Sequence, residues 1–519
     1  MLRRTAARVG LCLAVAGCGL VGPPKTGPHG LSSYDDELRR LSEQGRFDEA
    51  LTVAEEEADA AGDEVLAALN RAIVEHYAGR YEESNELLQA AELEIEERFT
   101  KSVSRAALSL VTNDRALAWL PSRAERPMVH VYGALNYLAL GEPDEAAVEA
   151  RRLARVLDGM VDEDGAEALD AETRQLYRSL RYFTGAVFEQ AGERNDADVA
   201  YRLAGVGAAR DSGSDFADTT EHVSAETSGV VVLVESGFVA HRVERSVHLL
   251  VGADELDDLR YGSESRRLRF ARCFSQRRLD RPMNAWGASH DDWCDGIRYS
   301  SSGGRKKGDK DDDVTYLMRV AWPTMYRPLS AAPVGPVRAF SGSGAGGVPT
   351  ITAARDATAL GSLPLDAVAA SPEGEGAGDA SGLAPPETPG SPVVSADLSG
   401  AVIRDFNRQA PEMLVKSVAR AAVKYAVVQA IEDGARKEDE TLADVVAVVG
   451  NALAALTERA DTRSWTLLPA QIQIVRLPLP PGRHEVRVAA EGASGATLDL
   501  GEVEVRPGRV TVVSTRAWP

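Results

Sequence analysis

Gly45-Arg46-Phe47-Asp48-Glu49-Ala50 and Gly79-Arg80-Tyr81-Glu82-Glu83-Ser84 are near-copies of one another, set 34 residues apart. Each places a glycine, an aromatic and a small residue at the same offsets. Glycine admits the left-handed backbone that turns a chain out of a helix. The aromatic has surface to bury on a neighbouring helix, and Ala or Ser lets the next helix approach closely. Two more copies repeat the turn out of strict register, Gly141-Glu142-Pro143-Asp144-Glu145-Ala146 and Gly192-Glu193-Arg194-Asn195-Asp196-Ala197. Around the last of them, Gly185, Phe188, Tyr201 and Ala204 occupy further small and aromatic positions. Between turns the apolar residues recur at helical spacing, as Leu66, Leu69, Ile73 and Tyr77 do.

A 34-residue period is that of tetratricopeptide repeats. Residues 33–210 are therefore predicted to form a tetratricopeptide-like helical repeat, with inserted segments near 100–125 and 158–172. Stacked repeats of this kind offer a concave surface to peptides and proteins, so a protein partner is expected on this region. Residues 31–100 carry 20 Asp and Glu against 6 Arg, a net charge of −14. That surface either faces a basic partner segment or keeps the repeats soluble.

Upstream, the chain opens MLRRTAARVGLCLAVAGCGL. Arg3, Arg4 and Arg8 precede a short apolar stretch, Val9 to Gly17, which is a secretory signal too short to span a bilayer. Val15-Ala16-Gly17-Cys18 resembles the lipobox of bacterial lipoproteins. The resemblance implies cleavage between Gly17 and Cys18 and lipidation of Cys18, with several acyl chains holding the protein to a membrane. Gly19, rather than Asp, follows the cysteine, which by the family's rule implies the outer membrane, facing the periplasm of a Gram-negative cell. Residues 1–17 are thus a signal peptide and 18–32, rich in Gly and Pro, a flexible tether. The whole chain has 519 residues and a formal charge of −21, and without the three signal arginines the mature chain stands at −24. Such a charge disfavours nucleic acid as a partner.

Downstream of the repeats, residues 225–328 read as β-rich. Val230-Val231-Val232-Leu233-Val234 is a buried strand between Gly229 and Gly237, Val243 to Val251 a second strand, and Thr315 to Met325 a third, with Pro323 marking an edge or strand end. Residues 260–281 hold eight Arg against Glu264 and Asp280, a basic patch. Cys273 and Cys294 are the cysteines left once Cys12 leaves with the signal and Cys18 is lipidated. In an oxidising compartment a Cys273–Cys294 disulfide is the simplest reading. Two buried thiols and a metal or thiol-catalysis role are the alternatives.

Residues 331–395 collapse into Ala, Gly, Pro, Ser and acids and read as a disordered linker. Order resumes in helices over 396–460: Asp397 to Gln409, stopped by Pro411, then Glu412 to Glu432, then Thr441 to Arg459. Lys416, Arg420 and Lys424 step along one face and are expected to be solvated, with a docking stripe as the alternative. Residues 464–519 form a β module of four strands, with turns at Pro480-Pro481-Gly482 and Pro507-Gly508. Those strands are expected to pair with each other and with the strands at 229–251 and 314–325. The fold class is thus multidomain, α and α+β: a helical repeat, then a mixed α+β domain interrupted by the linker.

Asn136-Tyr137-Leu138 with Val148-Glu149-Ala150-Arg151-Arg152, Ala419-Arg420-Ala421 with Lys424-Tyr425, and Asp461-Thr462-Arg463-Ser464-Trp465 with Leu468-Pro469 occur in that order. In these stretches the chain resembles a family of uncharacterised proteobacterial outer-membrane lipoproteins with tetratricopeptide-like N-terminal helices. The resemblance implies the lipoprotein address and the repeat, and carries over no catalytic residue. Trp465, beside Leu467, Leu468 and Pro469, reads as a core anchor, with ligand stacking as the sharper alternative. No HExxH, phosphate loop, GxSxG elbow or paired-cysteine frame is present, so no cofactor, metal or catalytic residue is assigned. The expected function is a non-enzymatic envelope scaffold. Peptidoglycan or glycan binding through Trp286, Trp293 or Trp322 is the alternative, and a hydrolase with scattered carboxylates is a third.

Overall fold

The computed structural model describes residues 30–102, 118–161, 166–206, 228–252, 315–328, 337–341, 351–352, 393–436, 458–490 and 497–518. Its helices are α1 (Ser33–Glu43), α2 (Phe47–Glu56), α3 (Glu64–Tyr77), α4 (Tyr81–Ser102), α5 (Pro127–Ala139), α6 (Pro143–Asp158), α7 (Ala171–Ala191), α8 (Arg194–Leu203) and α9 (Leu398–Arg436). The strands are β1 (Gly229–Ser236), β2 (His241–Gly252), β3 (Thr315–Tyr326), β4 (Val337–Ser341), β5 (Ile351–Thr352), β6 (Val393–Asp397), β7 (Gln471–Pro478), β8 (Gly482–Ala490), β9 (Thr497–Val505) and β10 (Val510–Ala517). The protein is a mixed α and β chain. Cys18 and Gly17, Cys273 and Cys294, the basic patch at 260–281 and the helix expected from Thr441 fall outside the described residues, apart from that helix's last residues.

All four turn glycines take positive φ, at 67°, 76°, 78° and 87° for Gly45, Gly79, Gly141 and Gly192. Each closes its helix with the same bond pair. The glycine N–H donates three residues back, and the next N–H donates five back, from Arg46 to Leu41, Arg80 to Glu75, Glu142 to Tyr137 and Glu193 to Phe188. This is the Schellman arrangement, which satisfies carbonyls that a helix end otherwise leaves bare. The small residues Ala50, Ser84, Ala146 and Ala197 then start the next helix, and all four are buried. The aromatic offset also works as the spacing predicts: Phe47 stacks on Tyr77, with ring centroids 6.2 Å apart. At Gly185 a Cβ would lie 2.7 Å from the Tyr201 ring, so the glycine is what lets α8 seat on α7.

The chain divides into two compact units, each drawn from three separate stretches. The first holds residues 1–129, 239–328 and 399–468, the second 130–238, 329–398 and 469–519.

In the second unit, one sheet has the order β10-β1-β7-β6 and another β5-β4-β8-β9. Their facing sides interleave Val230, Val232 and Val234 of β1 with Val475 and Leu477 of β7, Val486 and Val488 of β8, and Val503 and Val505 of β9. Helix α7 packs on the strands of the first sheet. With one side against a second sheet and the other against helices, every residue of β1 is buried. That is why its sequence is a continuous apolar run rather than an alternation.

Several expectations are corrected here. Of the two arrangements the four C-terminal strands suggest, a small antiparallel sheet or a half-sandwich, they do not form the single sheet; they are shared between two sheets that enclose one core. β7 and β10 flank β1, while β8 and β9 belong to the other sheet, and β10 runs parallel to β1. Strands β2 and β3 pair with each other over twelve positions in the first unit and not with the C-terminal strands. Strands β4, β5 and most of β6 lie inside the stretch assigned to linker. Their composition cannot build a core, but β4 and β6 each add to an existing strand, β8 and β7, which supplies the partner. Pro411 does not stop a helix: α9 runs through it. Ala410, Leu414 and Val418 are buried on either side, so continued burial outweighs the missing backbone hydrogen bond. Pro411→Ala should therefore restore that bond and stabilise the protein by about 1–3 kcal/mol, read as a raised urea midpoint. Nor is the 416–424 stripe wholly solvated. The Arg420 side chain is 1% exposed and pairs with an equally buried Glu458 at 2.8 Å.

Candidate functional site

In the first unit, the stretch from Glu458 to Leu468 is tied down residue by residue. The Ala460 N–H donates to Glu244 Oε2 at 2.9 Å. Asp461 holds the Arg463 guanidinium at 2.8 Å, and Arg463 reaches on to Asp63 at 3.6 Å. Ser464 Oγ accepts the Arg242 N–H at 3.0 Å. Thr466 Oγ1 donates to Asp35 at 2.9 Å, and its carbonyl accepts Arg39 Nε, also at 2.9 Å. Leu468 O accepts the Val239 N–H. Trp465 is 0% exposed, so it serves as a core anchor and has no face open to a ligand.

Asp63 is the second hub. It caps α3 through the Val65 N–H, takes Arg98 at 2.7 Å and receives the Trp119 N–H at 3.1 Å. This pins the residues after α4 to the start of α3.

Between these hubs lies a small, partly open cleft, lined among others by Trp119, Glu125, Arg242, Phe406, Gln409 and Arg463. Ser122 and Glu125 form a capping box: the Ser122 N–H donates to Glu125 Oε2 at 2.7 Å and the Glu125 N–H to Ser122 Oγ at 3.3 Å. Asp405 of α9 accepts the next free donor, the Ala124 N–H, at 3.0 Å. Glu125 is only 5% exposed. Burial raises its pKa, with Asp405 adding to the rise, while the Ser122 hydrogen bonds and the Arg242 charge work the other way. Asp405 is likewise raised, first by burial. The Arg242 guanidinium makes no ion pair with the described residues and sits 6.0 Å over the Phe406 ring. The Ser122-x-x-Glu125 spacing is the one sequence signal for this cleft, because it marks a helix start.

In the second unit the buried charges serve the core. Arg476 of β7 forms a fork with Glu189 of α7 at 2.7 and 2.8 Å. Tyr201 of α8 donates to the same carboxylate at 2.7 Å. Burial, with Tyr182 and Glu189 nearby, raises the Tyr201 pKa and keeps its hydroxyl a donor.

Of the tryptophans proposed to stack on sugars, Trp286 and Trp293 lie outside the described residues, and Trp322 is half-buried opposite Arg245 on the β2–β3 ribbon. Among the described residues no three or more His, Cys, Asp and Glu side chains gather as metal ligands, and no helix is long and apolar enough to cross a membrane. Set beside family models, curated proteins and solved structures, the chain matches none of them.

Proposed function

We propose that this protein is a lipid-anchored envelope lipoprotein that acts, without catalysis, as a protein-interaction scaffold through tetratricopeptide-like helical repeats. The observation that carries this reading is the recurrence of one turn. Four hairpins are closed by the same glycine geometry, the same bond pair and the same buried small residue, and the first two turns stand 34 residues apart. Tetratricopeptide-type helix pairs are elements that bind peptides and proteins. The anchor is Cys18, and the partner is a protein bearing basic residues toward the acidic first hairpins.

Cys18→Ser should move the protein from the membrane fraction to the soluble fraction, since no acyl chain remains to hold it. The same soluble form, used as bait in an envelope extract, should recover one protein in stoichiometric amount. A Cys18→Ser protein that still sediments with membranes would overturn the anchor. A bait that recovers nothing beyond a mock column, at low and at physiological salt, would overturn the scaffold.

A further inference from the structure

We infer that the cleft between Glu125, Arg242 and Phe406 is a recognition site for a carboxylate, the chain end of a bound protein. Arg242 is a guanidinium on the cleft wall with no ion-pair partner among the described residues, backed by an aromatic ring. Its planar fork matches a carboxylate and can hold both oxygens. Glu125 is nine-tenths buried on the same wall, its carboxyl held by Ser122. Gln409, exposed at the rim, adds an amide that can donate or accept. The cleft has room for no more than a water-sized group, which suits the oxygen tip of an end group on a longer chain rather than a whole metabolite.

The charges around Glu125 decide how it takes part. Arg242 faces it from β2, Asp405 from α9, and Arg463 lines the cleft from the 458–468 stretch. Burial favours its neutral form, and a neutral carboxyl donates a hydrogen bond to an incoming carboxylate where an ionised one would repel it. Occupancy should then weaken as pH rises through the Glu125 pKa. This inference rests on the scaffold reading in one respect, that the carboxylate belongs to a protein.

The test titrates the full-length protein in detergent with acetyl-dialanine and with its C-terminal amide, followed by calorimetry. The acid should bind and the amide should bind at least about tenfold more weakly, as the loss of a charged hydrogen-bond pair implies. Arg242→Gln should weaken the acid by a similar factor. Glu125→Gln keeps the capping box, because Gln fills that position equally well. It should retain binding and flatten the pH dependence above the ordinary carboxylate range. Unchanged melting midpoints would show that both variants are folded. Equal binding of acid and amide, no binding of the acid at concentrations on the order of 10 mM, or undiminished binding by folded Arg242→Gln would each overturn the inference. None of these outcomes alters the bait experiment, so the two readings fail separately.

Discussion

Replacing Glu189 by alanine should destabilise the second unit by about 3–5 kcal/mol, because it strands the Arg476 guanidinium in the core. The pair is fully removed from water, with 5% and 2% of the two side chains exposed. When that carboxylate goes, two guanidinium bonds and a tyrosine hydroxyl bond go with it, and the bond Arg476 keeps to Tyr201 Oη, at 3.2 Å, supplies no countercharge. Hydrogen exchange at β7 and α7 would report the loss directly. Removing both charges at once, as Glu189→Leu with Arg476→Met, should recover most of the stability, since two apolar side chains of similar volume need no partners. If the single and double replacements prove equally destabilising, the ion pair is not what joins α7 to β7.

Trp465→Ala should cost a similar amount, about 3–5 kcal/mol, from lost burial plus the cavity left behind. Trp465→Phe should be far milder. The indole N–H has no hydrogen-bond partner among the described residues, so phenylalanine forfeits volume but no bond. Urea unfolding of the two variants separates these terms. A Phe variant as unstable as the Ala variant would mean that the indole N–H does have a partner.

The turns and most strands were legible because their signals are local. A glycine at the turn with a small residue five positions on is a local signal, and Gly45, Gly79, Gly141 and Gly192 all take the Schellman conformation, with or without an aromatic between them. Strand β1 was legible from its β-branched run, and β7 to β10 from the Pro-Gly turns around them. Which strands would pair was not. The parallel partnership of β1 with β10 joins residues 281 positions apart, Gly229 and Val510, and nothing near either one announces the other. Pro411 misled for a related reason: a local helix breaker lost to burial supplied by distant chain. The cleft was hidden more deeply. Ser122-x-x-Glu125 declares a helix start, but the residues that bury Glu125 and give it a neighbouring charge, Arg242 and Asp405, come from other stretches. Arg420 looked like a surface cation until Glu458 closed over it.

The interleaving of the two units has a consequence in time. Residues 30–129 hold Arg39, which bonds Thr466, and Asp63, which pairs Arg463, so the first unit lacks its closing stretch until most of the chain has been made. The second unit waits longer still, for β7 to β10. Neither can mature in vectorial order as the N-terminus emerges, and both must close very long loops late. The closing contacts of both units then form only near the end of synthesis. Truncation after residue 398 should accordingly yield two unfinished halves rather than one finished domain.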